Sequence, residues 1–247
     1  MDTQPNHNPE RLNENARLIE IFKSMVIPLG CTLPNSCEVV LHDLNKLPNS
    51  IIAIYGSTTG RAVGDPATDR LLRSFASNDF RTVVGYQSEH KDGRKLRSST
   101  IILNGLDGSP IAALCINCDV SMWYQVQQIA ESMTNQVVAH GGPPSANTQI
   151  TTVEPQTPLN QHTDEDGEIF VHDVDDLAIH LIRRAINAQQ VPVSLMKKAH
   201  KLDVVRSLKK SGLFLLRDAV DMIAEALDIS RFTVYNYVNE IEAEVQG

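Results

Sequence analysis

Phe232, Tyr235, Asn236 and Asn239, flanked by Arg231, share one arc of a helix when Val234, Tyr237, Val238 and Ile241 turn inward at i, i+3, i+4 and i+7. Asparagine can pair with adenine through two hydrogen bonds, arginine with guanine, and phenylalanine can meet a thymine methyl. The arc therefore carries the chemistry needed to read base edges in a major groove. No Asp or Glu occurs between Ile229 and Asn239, and the acids resume at Glu240, Glu242 and Glu244. The free N–H groups and Arg231 thus leave the start of this helix positive, as contact with a phosphate backbone requires. Ser230 stands at the N-cap position, its hydroxyl placed to accept the Thr233 N–H. Ser230, Arg231, Phe232, Thr233, Tyr235, Asn236 and Asn239 are the candidate DNA contacts.

The residues before this helix are those needed to hold it. Ile223, Ala224 and Leu227 mark the apolar face of a preceding helix, and Asp228-Ile229-Ser230 forms a tight turn. Small Ala224 permits close crossing, while Ile229 and Val234 fill the angle: the spacing is that of a helix-turn-helix. Asp228 occupies the turn position where glycine is frequent, and aspartate tolerates the left-handed conformation better than most residues. Upstream, Leu195–Lys210 carries Lys197, Lys198, Lys201, Arg206, Lys209 and Lys210 against Asp203 alone. We read it as a supporting helix in which Lys197, Lys198 and Lys201 touch phosphates, giving affinity without sequence information. The bland alternatives are a solvated charged helix and a helical hairpin that binds a partner protein.

Other groups could do chemistry in the first half. Glycines recur at Gly56, Gly60 and Gly64, but no Lys-Ser/Thr follows, which excludes a nucleotide P-loop. Arg61 in this loop could clamp a carboxylate. Thr68 and Asp69 either line the same pocket or start the next helix. His42 and Asp43 are adjacent on a strand and point to opposite faces, so they do not form a catalytic dyad, and His42 is a hydrogen-bonded or pocket-lining histidine. His42, Arg61, Thr68 and Asp69 are the candidate small-molecule ligands, and no catalytic residue is assigned. Cys115 and Cys118 have metal-like spacing, but in a strand i and i+3 face opposite sides, so no metal is expected. Buried thiols are the better reading of the cysteines. Trp123 and Tyr124 are core or dimer contacts; no haem or flavin signature is present and no cofactor is expected.

The elements that must position these groups follow from periodicity. Apolar residues over Asn13–Ile27 predict an amphipathic helix ending near Pro28. Five β-rich runs follow, Cys37–Leu41, Ser50–Ile54, Thr82–Ser88, Arg97–Leu103 and Pro110–Cys118, with Gly93 and the Asn104-Gly105 and Asp107-Gly108 turns joining the last three as hairpins. Thr68–Phe75 reads as helical, and Val120–Val138 as a closing helix. The order describes an α+β, PAS-like antiparallel sheet with flanking helices over 10–140, and periodicity alone places the helices on one side. Residues 141–167, rich in proline and acids, read as a flexible linker, and 168–247 as an all-α region containing the helix-turn-helix.

The net charge of −8 excludes a histone-like basic coat but not a local basic patch. No apolar run approaches the ~20 residues of a membrane span, and the N-terminus reads as no secretory signal. Four cysteines fit a reducing compartment, so a cytoplasmic location is expected.

The sequence resembles the YheO-like PAS plus DauR-like helix-turn-helix family of bacterial transcription regulators. The resemblance rests on Cys37-Glu-Val-Val-Leu-His42-Asp43-Leu44, Ser50-Ile-Ile-Ala-Ile, Thr59-Gly60-Arg61-Ala-Val-Gly64-Asp65-Pro66-Ala-Thr68-Asp69, Leu213–Ile223 and Ile229-Ser-Arg-Phe-Thr-Val-Tyr-Asn-Tyr-Val. It implies a cytoplasmic regulator that answers a small molecule through its PAS-like half. One helix-turn-helix reads only a few base pairs, so a homodimer on two half-sites of a double-stranded operator is expected, with repression favoured over activation. The rival readings are an enzyme built on the first half and a protein-interaction module built on the second.

Overall fold

The computed structural model describes residues 9–135 and 168–246; the 141–167 linker expectation lies outside the described residues. Helix α1 (Pro9–Thr32) leads into β1 (Cys37–Asp43) and β2 (Ile51–Tyr55). Helix α2 (Asp69–Ala76), strands β3 (Val83–Glu89), β4 (Lys95–Asn104) and β5 (Pro110–Asp119), and helix α3 (Ser121–Asn135) follow. The five strands form one antiparallel sheet ordered β2-β1-β5-β4-β3. After the undescribed stretch come α4 (Val174–Asn187), α5 (Lys198–Lys210), α6 (Ala219–Ala226) and α7 (Arg231–Gln246). The fold is α+β, an antiparallel sheet with helices and an all-helical C-terminal region.

Alternation along β1 separates two faces. Val39 and Leu41 pack with Ile111 and Ala112 against Ile19, Phe22, Val26 and Leu29 of α1. Glu38, Val40 and His42 face the other way. On that second face the register aligns Glu38 with Asn117, Asn117 with Ser98, and Ser98 with Tyr86, so a row of polar side chains crosses β1, β5, β4 and β3. Both faces are covered, the second by α2 and residues 168–171, rather than one.

Helix α1 does not stop at Pro28 but runs to Thr32. Proline removes one intrahelical donor, yet Leu29 and Leu33 beyond it still pack on the sheet, and burial outweighs the lost bond. Gly30 allows the approach: a Cβ there would stand 2.1 Å from the Tyr55 ring.

The cysteine reading also needs correction. Cys37 and Cys118 lie opposite each other across β1 and β5 and form a disulfide. Sheet register brings together two thiols 81 residues apart, which spacing along the chain could not show. Cys115 is a buried thiol, pushed up to about 12 by burial, while Cys31 is exposed and so is not buried as expected. Trp123 is 72% exposed on α3, which removes the core reading for it.

One hydrophobic core joins the first 135 residues to the C-terminal helices. Leu44, Leu71, Leu72 and Ala113 share a cluster with Leu177, Leu181, Leu208, Leu213, Ile223 and Val234. Gly212, at φ +81°, permits this contact, because a Cβ there would meet the Leu72 carbonyl oxygen at 2.7 Å.

Candidate functional site

Helices α6 and α7 cross with Ala224 buried at the contact and Ile223, Leu227 and Val234 fully enclosed. Asp228 in the turn has φ +50°, the left-handed conformation the sequence requires there. The Thr233 N–H donates to Ser230 Oγ at 3.1 Å, and the two hydroxyls share a further bond at 2.9 Å. Lys201 of α5 donates to the Leu227 carbonyl oxygen at 2.7 Å, occupying an acceptor at the end of α6 and tying the turn to the supporting helix.

With Tyr237 and Ile241 buried, the opposite arc of α7 meets solvent. Phe232 is 73% and Tyr235 56% exposed, and Arg231, Asn236 and Asn239 are exposed beside them. Neither asparagine has a side-chain hydrogen bond among the described residues, so both amides keep all donors and acceptors for a partner. An exposed phenylalanine forgoes roughly 1.5–3 kcal/mol of burial, which a base methyl or sugar could restore on binding. Arg231 is the exception on the arc, being ion-paired with Asp221.

The basic helix is used differently from the expectation. Lys198 pairs with Glu240 at 2.8 Å, Arg206 with Glu244 at 2.7 Å and Lys209 with Glu242 at 2.6 Å. The acids that vacate the start of α7 thus return in its second half to meet α5. Lys198 and Lys201 are committed to their own chain, whereas Lys197 and Lys210 are exposed with no ion pair among the described residues. The sequence shows both charge blocks, but not that they face each other.

The candidate ligand residues of the first half lie in or beside the polar row. Glu38 is wholly buried and accepts from the Thr59 N–H at 2.8 Å, Thr59 Oγ1 at 2.6 Å and Asn117 Nδ2 at 3.0 Å. Arg61, 5% exposed, donates from Nε to Thr59 Oγ1 at 3.1 Å and brings Nη2 to 3.7 Å from Glu38. Its Nη1 has no hydrogen-bond partner among the described residues. His42 Nδ1 bonds Ser50 Oγ at 2.8 Å, and burial, with the Arg61 charge second, lowers its pKa to about 3. It is held neutral in the fold. Its neighbour Asp43 instead caps the following turn through the Asn45 N–H.

Thr68 and Asp69 hold elements together. Thr68 caps α2, accepting the Leu71 N–H. Asp69, 1% exposed, accepts from Arg73 of α2, the Ile169 N–H at 2.9 Å and Arg184 of α4 at 3.1 Å. One carboxylate therefore links α2, the 168–171 strap and α4.

Three pocket residues were not foreseen: His90, Glu168 and Phe170. Glu168 reaches back across the sheet to accept from the Tyr86 hydroxyl at 2.9 Å, and burial raises its pKa. Phe170 is buried with the Arg61 guanidinium 5.0 Å from its ring centre and the His90 ring at 6.2 Å. Only the acid-rich context of Glu168 stood out in the sequence, and it pointed to solvent rather than to a core.

Residues 13–135 match the YheO-like PAS domain family, and residues 178–239 match an HTH domain family. The chain is 28% identical to an uncharacterized protein of Haemophilus influenzae over 235 residues, covering 94% of this chain and 95% of that protein. It is 27% identical to the uncharacterized protein YheO of Escherichia coli K12 over 236 residues, covering 93% and 88%. It is 26% identical to the transcriptional regulator DauR of Pseudomonas aeruginosa over 225 residues, covering 91% and 94%.

Proposed function

The chain belongs to the family that joins a YheO-like PAS domain to a helix-turn-helix domain, and from that premise we propose that it regulates transcription by reading a specific DNA sequence. The observation that carries this reading is the solvent-facing arc of α7, with two uncommitted asparagines beside exposed Phe232 and Tyr235. Asn236, Asn239, Phe232 and Tyr235 meet base edges; Ser230, Thr233 and the first N–H groups of α7 meet phosphate. Arg231 joins them by exchanging Asp221 for a base or phosphate. Lys197 supplies backbone affinity, and Lys198 and Lys201 contribute less because their charges are already engaged.

The protein acts as a homodimer, since two reading heads are needed for selectivity. Helix α3 supports this: Met122, Trp123, Val126, Ile129 and Met133 form an exposed apolar stripe at helical spacing. The helix carries a single charged residue, Glu131, so two copies can meet with little repulsion. The sheet half senses a small metabolite, and ligand binding shifts the population between two placements of the heads. Repression is the favoured outcome, because occupying a promoter requires no contact with polymerase, and the site of action is the cytoplasm. The name of the DauR relative, a transcriptional regulator, supports the same reading.

Selection of genomic fragments by the full chain, followed by the same selection with N236A, tests it. The parent should enrich a common motif, and the variant should lose preference at one position of each half-site. Equal enrichment of all fragments by the parent would defeat the proposal.

A further inference from the structure

The polar row on the inner sheet face is satisfied almost throughout. Glu38 has its partners, Ser88 bonds Ser98 at 2.7 Å, and Tyr86 bonds both Thr100 and Glu168. Among the described residues two buried nitrogens break the pattern: Arg61 Nη1 and His90 Nε2 have no hydrogen-bond partner there, on side chains 5% and 6% exposed. Both border Phe170. A ring face is a weak acceptor, so Phe170 fills the space without meeting the demand of the groups around it.

We propose that this pocket is a carboxylate-binding site held closed by the chain's own Glu168–Phe170, and that a small carboxylate with a ring-sized apolar body binds by displacing Phe170. The proposal rests on the reading of the first half as a sensor. A carboxylate beside Arg61 takes the Nη1–H that now has no acceptor. His90 Nδ1 stands 2.9 Å from Asp92 Oδ1 and 3.3 Å from Arg94 Nη2. The same anion can accept from His90 Nε2 as an N–H, since the ring's other nitrogen faces Asp92 and Arg94.

The way in is also present. An open cleft of about 420 Å³ is lined by Glu168, Ile169, Phe170 and Val171 together with Lys91 and Arg183. Neither cation has an ion pair among the described residues, so both remain available to an anion, although Glu89, Glu168 and Asp176 line the same cleft. Among the described residues the strap is held by Ile169 to Asp69, His172 to Asp65 at 3.0 Å, and Glu168 to Tyr86 and Thr68. It continues directly into α4, whose Arg184 shares Asp69 with it. Lifting Phe170 therefore disturbs the carboxylate that ties the sheet half to the helices bearing α7.

The test is calorimetric titration of the full chain with phenylacetate, which combines the ring and the carboxylate, and with 2-phenylacetamide, its neutral counterpart. F170A removes the plug and should bind phenylacetate about tenfold tighter than the parent or more, because no closed state competes. The amide should bind F170A at least about tenfold more weakly than the acid, and R61Q in the F170A background should abolish acid binding. If F170A does not fold, F170L should show the same direction with a smaller gain. Equal affinity of parent and plug variants for phenylacetate, or equal affinity for acid and amide, would overturn the proposal. Fragment binding is measured on the same samples: intact DNA selection with no carboxylate binding defeats the pocket alone, whereas carboxylate binding without DNA selection upholds the pocket and defeats the regulator reading.

Discussion

The molecule carries two sets of polar side chains with opposite relations to water. On α7 the asparagines and Ser230 stand in solvent on a helix whose other side is anchored by Val234, Tyr237 and Ile241. On the sheet, Glu38, Asn117, Ser98 and Tyr86 are buried, with Glu38 bonded to Asn117, Ser98 to Ser88, and Tyr86 to Thr100 and Glu168. The first set costs little to the free protein and becomes useful when a partner arrives. The second has been withdrawn from water, so its members are stabilising only while their partners remain.

The comparison is broken most severely at Glu38. E38A leaves the Arg61 guanidinium buried without its counter-charge and removes the acceptor of Thr59 and Asn117. The expected loss is about 3–5 kcal/mol in denaturant unfolding. E38Q, which keeps the shape and one of the two acceptor oxygens, should lose less. Equal, small losses for both would show that the row is not a coupled network.

On the exposed side the effect should appear only with DNA. N236A should leave unfolding within about 0.5 kcal/mol of the parent. It should cost about 1–3 kcal/mol of discrimination at one base position, read as relative affinity for single-base variants of the selected sequence. A variant that unfolds more easily but keeps its base preference would reverse the roles of the two surfaces.

The same contrast explains what could be read from the chain. The α6–α7 crossing, the Ser230 cap and the Asp228 turn are local: each depends on residues within a few positions, so periodicity and cap chemistry reveal them. The five strands were likewise legible as segments. Their register was not, because it is set by pairing between distant runs. With the register hidden, so were the Cys37–Cys118 bond and the Glu38–Asn117–Ser98–Tyr86 row. Phe170 gave no periodic signal at all, since a short strap is buried by what lies beneath it rather than by its own repeat. The α5 cations illustrate a third case, in which composition was legible but the partner across the interface was not.

Acid sensitivity sharpens the buried side. His42 is held neutral, with a pKa of about 3 against an ordinary value of 6.5. Below about pH 6.5 the unfolded chain takes up a proton that the folded one refuses, so this stability is present at neutral pH and lost as pH falls. The loss between pH 7 and pH 5 should be about 2 kcal/mol. Glu168, whose pKa is raised by burial, acts in the opposite direction above its ordinary value, because there the folded chain retains a proton the unfolded one has lost. H42Q isolates the histidine: denaturant unfolding of the variant at pH 7 and pH 5 should show a difference smaller by that amount. An unchanged difference would mean that His42 is protonated in the fold.

The smallest effect distinguishes two kinds of cation on one helix. Lys197 is exposed and unpaired among the described residues, whereas Lys209 is bonded to Glu242. A lysine that releases a counterion on meeting phosphate contributes about one unit to the slope of log affinity against log salt. K197A should therefore weaken binding to all sequences alike and flatten that slope by about one, leaving base preference intact. K209A removes a charge already neutralised by its own chain and should change the slope by much less. It also frees Glu242 near the bound duplex, and the repulsion this adds depends on salt with the same sign as a lost contact. K209A/E242Q cancels that contribution, so its slope should return to the parent value, while E242Q alone should release Lys209 and steepen the dependence slightly. Equal slopes for K197A and K209A would place both lysines on phosphate and remove the distinction between the free and the committed lysines of this segment.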